Sequence, residues 1–268
     1  MEKNYGGYEL NSFPAEFYDI AYDRILSGED IPFYIDYSRY SNGRTLELGC
    51  GTGRVLIPTA QAGYPITGLD LSTYMLDICR KKLSAQTEEV RDRTRLIQAS
   101  MTDFNTGETY SLVTIPFRAF QHLISTEDQR NCLQCVHNHL ESGGKLVIDV
   151  FNPKPSKLFD NPSATEERET LPETLLPDGR KVRRTNRNTD FHRGLQYIGC
   201  EIIYYVTYPD GKQERLVQEF PMRFIFRFEM EHLLELCGFK LIDLFGNFDR
   251  SPYSDNSPEI ITVAEKRG

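Results

Sequence analysis

Apolar positions along this chain follow two rhythms that alternate. Short apolar or alternating runs predict strands over residues 44–48, 65–69, 94–98, 110–115 and 145–151. Between them, apolar residues recur every three or four positions, which predicts helices over about 54–63, from a cap at Ser72, and from Ser125 or Thr126 to 139. The helix after Ser72 points Met75, Leu76, Cys79 and Leu83 to one side. Two more helical stretches, 13–26 and 30–40, come first and are broken by Asn42-Gly43, and Gly143-Gly144 forms a turn before the fifth strand. Strand alternating with helix predicts a parallel, doubly wound α/β sheet.

After residue 151 the rhythm changes. Residues 152–177 carry prolines at 153, 155, 162, 172 and 177 among many charges and read as an irregular connection. Long β-branched or aromatic runs follow at 181–189, 195–208 and 215–228, joined by turns of which Pro209-Asp210-Gly211 is the clearest. These predict an inserted antiparallel β-sheet cap. A helix over 229–237 stopped by Gly238 and strands over 239–245 and 259–266 resume the first pattern. The division is therefore a core of 1–151 and 229–268 with an N-terminal helical lid, and a cap of 152–228 over the substrate pocket.

Composition narrows the function. A chain of 268 residues with net charge −8 and a pI near 5.3 lacks the broad basic surface that nucleic acid or an anionic membrane requires. A small-molecule partner fits better. The first residues, Met1-Glu2-Lys3-Asn4-Tyr5, contain no apolar signal core, and no run approaches the roughly 20 residues of a membrane span, so a soluble, cytoplasmic protein is expected. Six cysteines scattered through periodic segments are then reduced thiols. Cys132-x-x-Cys135-x-His137-x-His139 has metal-like spacing, yet Cys132, Leu133, Val136 and Leu140 lie at core spacing and no second ligand pair is near, so no metal is expected.

The chemistry concentrates in Glu47-Leu48-Gly49-Cys50-Gly51-Thr52-Gly53-Arg54, between a strand and a helix, with Asp70 ending the next strand. Alternate glycines admit a ligand close to the backbone, and a carboxylate at that strand end can accept both hydroxyls of a ribose. The dinucleotide spacing Gly-x-Gly-x-x-Gly counted from Gly49 would place glycine at 54, where Arg54 stands. That favours S-adenosyl-L-methionine over a dinucleotide, whose pyrophosphate needs an unobstructed helix start. An incidental glycine turn is the plain alternative, weakened by the strand context and Asp70.

Residues 46–54, with Gly68-Leu69-Asp70-Leu71-Ser72, Met75 and Leu140-Glu141-Ser142-Gly143-Gly144, resemble the class I S-adenosylmethionine-dependent methyltransferases. The resemblance covers 44–150 and returns over 223–266. It implies a seven-stranded sheet in order 3-2-1-4-5-7-6 with the last strand antiparallel, and methyl transfer to a nitrogen or oxygen of a small molecule by in-line displacement. The insertion before the late helix resembles the N-methyltransferases of nucleotide-linked amino sugars. Cofactor contacts are expected from Tyr18, Glu47, Gly49, Cys50, Gly51, Gly53, Arg54, Asp70, Leu71, Met75, Ser100, Met101 and Pro116, with adenine against Leu71 and Met75. Many relatives carry an acidic residue where Ser100 stands; its hydroxyl accepts more weakly, and Asp103 is an alternative acceptor or a turn cap.

His122, after the fourth strand at the ligand edge, is the candidate general base, weighed against a histidine hydrogen-bonded at a helix entrance. Tyr18 and Tyr22 share one face of the first helix, where relatives carry an aromatic lid and where ordinary packing beside Phe13, Phe17, Ile20 and Leu26 is equally reasonable. Tyr22, Phe117 and Arg118 are the candidate substrate contacts, Phe117 walling the methyl channel and Arg118 holding an acidic group. Strand alternation splits the basic run Arg180-Lys181-x-Arg183-Arg184-x-x-Arg187 across two faces, as a solvated edge strand or as a phosphate-binding cluster. A nicotinamide-dependent dehydrogenase and a non-catalytic nucleoside-binding module remain as alternatives on the same sheet, and a nucleic-acid base methyltransferase is disfavoured by charge and by Ile115-Pro116-Phe117-Arg118 after the fourth strand. The acceptor and the oligomeric state stay open, a homodimer through an exposed edge of the inserted sheet being one option.

Overall fold

The computed structural model describes residues 6–25, 28–154 and 165–267. Seven strands form the main sheet: β1 (Thr45–Leu48), β2 (Ile66–Asp70), β3 (Thr94–Gln98), β4 (Tyr110–Ile115), β5 (Leu140–Phe151), β10 (Phe239–Phe245) and β11 (Glu259–Lys266). Their spatial order is β3-β2-β1-β4-β5-β11-β10; β1 to β5 run parallel, and β11 is antiparallel to both of its neighbours. In order of appearance this is 3-2-1-4-5-7-6 with the last strand reversed, as the resemblance implied.

Both faces of the sheet are covered, which is why its central strands read as continuous apolar runs rather than alternating ones. One face buries Leu46, Leu48, Val113, Ile115, Leu146 and Ile148 beneath α6 (Thr126–His139) and α7 (Arg227–Leu236). The other packs Leu112, Val147, Ile261 and Val263 against Phe33, Tyr34 and Tyr37 of α2 (Asp30–Ser41). A third cluster joins α3 (Leu56–Gln61), α4 (Thr73–Ser84) and α5 (Glu88–Asp92) over β2. Ser72 caps α4, its hydroxyl accepting from Met75 N–H, and Ser125 caps α6 through Asp128 N–H. The inward set of α4 is Met75, Leu76, Cys79 and Leu83.

Two readings of the sequence change. β5 begins at Leu140 rather than at 145: Tyr110 pairs with Leu140 and Leu112 with Lys145, so the Gly143-Gly144 turn bulges out inside the strand. The proline-bearing connection contains a strand, β6 (Arg168–Leu175), ending in a turn where Leu176 N–H donates to Arg180 at 2.7 Å. Its partner, β7 (Lys181–His192), lies on one side only, so Pro172 costs the ladder little on this edge strand. Residues 155–164 of the expected irregular connection lie outside the described residues.

The inserted sheet has four antiparallel strands in order β6-β7-β8-β9, with β8 at Tyr197–Thr207 and β9 at Gln213–Arg223. Its inner face packs Leu171, Val182, Ile202, Tyr204, Val206 and Phe220 with Phe17 and Ala21 of α1 (Phe13–Ile25). The first helix thus belongs to the core of the inserted sheet rather than lying loose over the cleft. All six cysteines are free, and His139 of the metal-like run accepts Thr106 N–H through Nε2 at 3.2 Å. Among the described residues no helix is long and apolar enough to cross a membrane.

Candidate active site

The three glycines of the turn after β1 do three different jobs. All have positive φ: Gly49 +71°, Gly51 +54°, Gly53 +84°. A Cβ on Gly49 would stand 2.9 Å from that of Ala119, and one on Gly53 would stand 2.7 Å from Cys79 Sγ; both positions are kept small by protein packing. A Cβ on Gly51 would meet nothing within 4 Å, because Gly51 faces a cavity of about 560 Å³. Gly49 and Gly51 both line that cavity, and at Gly51 the bare backbone faces open space.

Asp70 locks this turn. Its Oδ2 accepts Gly51 N–H at 2.7 Å and its Oδ1 accepts Ser72 N–H at 2.8 Å, tying the glycine turn to the start of α4. Burial raises its pKa to about 6, opposed by those two N–H groups. Each oxygen keeps a lone pair for a further donor. Beneath the turn, Glu47 is buried with Oε2 unpartnered, and desolvation lifts it to about 8 against the pull of Arg54. Arg54 makes a two-pronged pair with Asp30 at 2.9 and 2.5 Å and lies 4.9 Å from the centre of the Phe117 ring.

Opposite, the turn after β4 is bent into the left-handed region at Phe117 (φ 55°) and Arg118 (φ 64°), a conformation that costs about 1–2 kcal/mol per residue. Asp149 on β5 holds it there, accepting Phe117 N–H at 2.7 Å and Arg118 N–H at 3.0 Å, with a third bond from the Tyr34 hydroxyl. Burial raises Asp149 to about 6. The Arg118 guanidinium pairs with buried Glu259, so its charge is matched from within the protein. That changes its expected role: an acidic substrate group would have to compete with Glu259.

The N-terminal segment crosses the cleft. Ser72 Oγ donates to Tyr8 O at 2.6 Å and Gln218 of β9 donates to Gly6 O at 2.6 Å, so the segment is tied to both the main sheet's α4 and the inserted sheet. Thr52 of the glycine turn donates to Asp19 at 2.6 Å, and Lys82 reaches the same carboxylate at 3.0 Å. Tyr18 and Tyr22 pack with ring centres 4.4 Å apart and planes inclined at 44°, and Tyr22 meets Phe117 edge-on at 5.1 Å. His122 lies between Tyr8 at 6.0 Å and Phe220 at 5.4 Å; its Nδ1 has no partner, and burial alone pulls its pKa to about 4. The ring is neutral at physiological pH, and its Nδ1 makes no hydrogen bond among the described residues.

Thirteen of the sequence-predicted residues line one cavity: Tyr18, Tyr22, Gly49, Gly51, Asp70, Leu71, Met75, Ser100, Met101, Pro116, Phe117, Arg118 and His122. Glu47, Cys50, Gly53 and Arg54 do not; they form the packed layer behind the turn. Ser100 pairs with the Thr102 hydroxyl at 2.8 Å, and Asp103 N–H donates to Ser100 O in a tight turn. The sequence reading missed Tyr8, Asn186, Phe220 and the supports Asp149 and Glu259, and named Arg184 only within the basic run. For Asp149 the available signal was a lone acid inside the apolar run Leu146-Val147-Ile148-Asp149-Val150, which is uncommon without a buried partner.

Residues 45–144 match the sequence family described as methyltransferase domain. The cypemycin N-terminal methyltransferase of a Streptomyces species is 23% identical over 94% of this chain and 95% of its own length. Two solved structures superpose over nearly all of the chain. The CcbJ methyltransferase of Streptomyces caelestis is 21% identical with TM-score 0.76, covering 99% of this chain and 100% of that one. CalS10, an amino pentose methyltransferase of Micromonospora echinaspora solved with S-adenosylmethionine, is 23% identical with TM-score 0.68, covering 93% and 96%. Residues 45–144 are therefore a methyltransferase domain, the chain has the fold of S-adenosylmethionine-dependent methyltransferases, and S-adenosylmethionine is its cofactor. The residues present fit it: open space in front of Gly51, and spare acceptor capacity on Asp70 beside that space. The nicotinamide reading is set aside.

Proposed function

We propose that this enzyme methylates a nitrogen of a small-molecule acceptor, bound beneath the inserted sheet. Bound S-adenosylmethionine supplies an electrophilic methyl on a sulfonium. Asp70 takes the ribose hydroxyls, the Gly49–Gly51 backbone takes the aminoacyl end, Leu71 and Met75 flank adenine, and Ser100 and Met101 read its edge. Pro116 and Phe117 wall the path along which the methyl is aimed. Tyr18, packed against the tilted ring of Tyr22, closes the cofactor side and excludes water. Support for the small size of the acceptor comes from a cavity of about 560 Å³, within the usual range for small-molecule sites.

The observation that carries the choice of nitrogen is the placement of His122 on the cavity wall, between the Tyr8 and Phe220 rings with Nδ1 unpartnered. With a pKa near 4 it accepts a hydrogen bond but holds a proton poorly, and burial pushes the Tyr8 and Tyr18 hydroxyls well above their ordinary range. None of these groups can strip an alcohol at neutral pH. An amine that enters the apolar, aromatic pocket as its free base needs no strong base, because desolvation disfavours its ammonium form. His122 then positions the nucleophile by accepting its remaining N–H. A relative from Streptomyces venezuelae named as an amino-sugar N,N-dimethyltransferase, 29% identical over 51% of this chain, supports the same atom. Incubation with methyl-labelled cofactor and paired amine and alcohol acceptors tests this: label should appear on nitrogen, and transfer to hydroxyls with amines inert would refute it.

A further inference from the structure

Among the described residues, each arginine that lines or backs the cavity wall has a carboxylate partner except one. Arg54 pairs with Asp30, Arg118 with Glu259, Arg187 with Glu201 at 2.7 Å, and Arg223 with Glu229 at 2.8 Å. Arg184 on β7 is 4% exposed, and among the described residues its guanidinium donates from Nη2 to the Tyr22 hydroxyl at 3.0 Å. Its Nε and Nη1 are buried and have no acceptor. The guanidinium also stands 4.7 Å from the Tyr22 ring centre and 5.9 Å from that of Tyr204, neither of which carries a counter-charge. A buried cation with no anion is strongly disfavoured, and two idle N–H donors add to the cost. Arg184 nonetheless lines the cavity.

Its surroundings suit a ligand. Asn186 and Asn188 follow at two-residue spacing on β7, on the same side of the sheet, and both line the cavity with Thr170 of the neighbouring strand. Arg183, by contrast, lies over Tyr205 with its side chain 38% exposed, and Arg187, which also lines the cavity, is matched by Glu201, so Arg184 is the member of the basic run that faces the cavity without a counter-charge. Idle Nε and Nη1 edges of a planar guanidinium match the two oxygens of a carboxylate or phosphoryl group.

Building on the acceptor site proposed above, we infer that Arg184, with Asn186 and Asn188, binds an anionic oxygen group, carboxylate or phosphoryl, of the methyl acceptor. The acceptor is therefore an amine that also carries an acid, and the roof of the pocket, rather than Arg118, reads that acid.

The test uses the full chain saturated with S-adenosylhomocysteine, titrated with sodium phosphate or sodium acetate against sodium chloride at constant ionic strength. One of the two oxyanions should raise the melting temperature saturably, by about 2–3 °C at ten times its dissociation constant. The better of the two assigns phosphoryl or carboxylate. R184M and R184Q should abolish the shift while binding S-adenosylhomocysteine within twofold of the wild type, and R184M without anion should melt no lower, since an unmatched charge has been removed. The inference is overturned if neither anion acts on the wild type, or if the shift survives in both variants. A tenfold loss of S-adenosylhomocysteine affinity in both variants also overturns it, by giving Arg184 to the cofactor's own carboxylate. Failure of wild-type protein to bind S-adenosylhomocysteine would instead count against the cofactor site, which separates the two claims.

Discussion

Asp149 accepts the main-chain N–H of Phe117 at 2.7 Å, across 32 residues of chain, and so fixes the wall of the methyl path from the middle of the sheet. The same carboxylate takes Arg118 N–H and the Tyr34 hydroxyl, three donors on one buried group. Asp149→Asn keeps the shape but leaves a single acceptor oxygen and brings two donors of its own. At least one partner then loses its acceptor, and the two left-handed residues are freed. Stability in urea should fall by about 2–3 kcal/mol, and methyl transfer should drop at least tenfold. Unchanged values of both would show that the turn holds itself.

Asp70→Ala removes the acceptor of Gly51 N–H and, on the proposed assignment, both ribose contacts. Affinity for S-adenosylhomocysteine by calorimetry should fall more than tenfold, about 1.4 kcal/mol or more, with the fold retained. Wild-type affinity in this variant would take Asp70 out of the cofactor site.

Much of this arrangement was legible in the chain itself, and the pattern of success is physical. Strands 94–98, 110–115, 239–245 and 259–266 match the observed ends, because apolar runs bounded by turn residues carry the signal locally. The glycine turn and Asp70 were readable for the same reason: both halves lie on consecutive strands of one β-α-β unit. β6 was hidden because Pro172 and its charged neighbours imitate a loop, and an edge strand tolerates them. Arg118 was legible as a residue at the ligand edge, but its neutralisation by Glu259 links positions 141 apart in sequence. Arg184 was visible only as one of several basic residues until register placed it inward.

Three buried carboxyls bear on pH. Glu47 is raised from 4.5 to about 8, and Asp70 and Asp149 from 3.8 to about 6, each chiefly by burial. A carboxyl whose folded pKa exceeds its unfolded value binds protons more tightly when folded. Its contribution is therefore complete below the unfolded pKa and is lost as pH rises through the folded one. Cofactor-free protein should lose stability between pH 5 and 8, by a few kcal/mol in all. Glu47→Gln should flatten the upper part of that decline, between about pH 6 and 8. Denaturant melts at several pH values decide it: parallel profiles for wild type and variant would mean that Glu47 is ionised throughout.

His122→Ala should lower turnover with cofactor affinity preserved, as a positioning acceptor requires. Because the ring is already neutral above about pH 4, its loss should not remove an inflection between pH 5 and 8 from the turnover profile. Disappearance of such an inflection in the variant would restore His122 as a base titrating near neutrality.

The glycine turn separates ligand space from packing space within two residues. Gly51→Ala places a methyl group in the empty cavity at a φ of 54°, costing about 1–2 kcal/mol of backbone strain but no clash. Gly53→Ala forces a methyl to 2.7 Å from Cys79 Sγ and 3.1 Å from Ile57, in the tightly packed layer between α3 and α4. The first variant should fold with a modest loss of melting temperature and bind S-adenosylhomocysteine at least tenfold more weakly, because the methyl occupies the space where the backbone meets the cofactor. The second should lose more stability, about 2–4 kcal/mol from strain and overpacking together, while any folded fraction binds with less impairment than Gly51→Ala. The reverse ranking in both measurements, melting and calorimetry, would move the ligand's approach from Gly51 to Gly53.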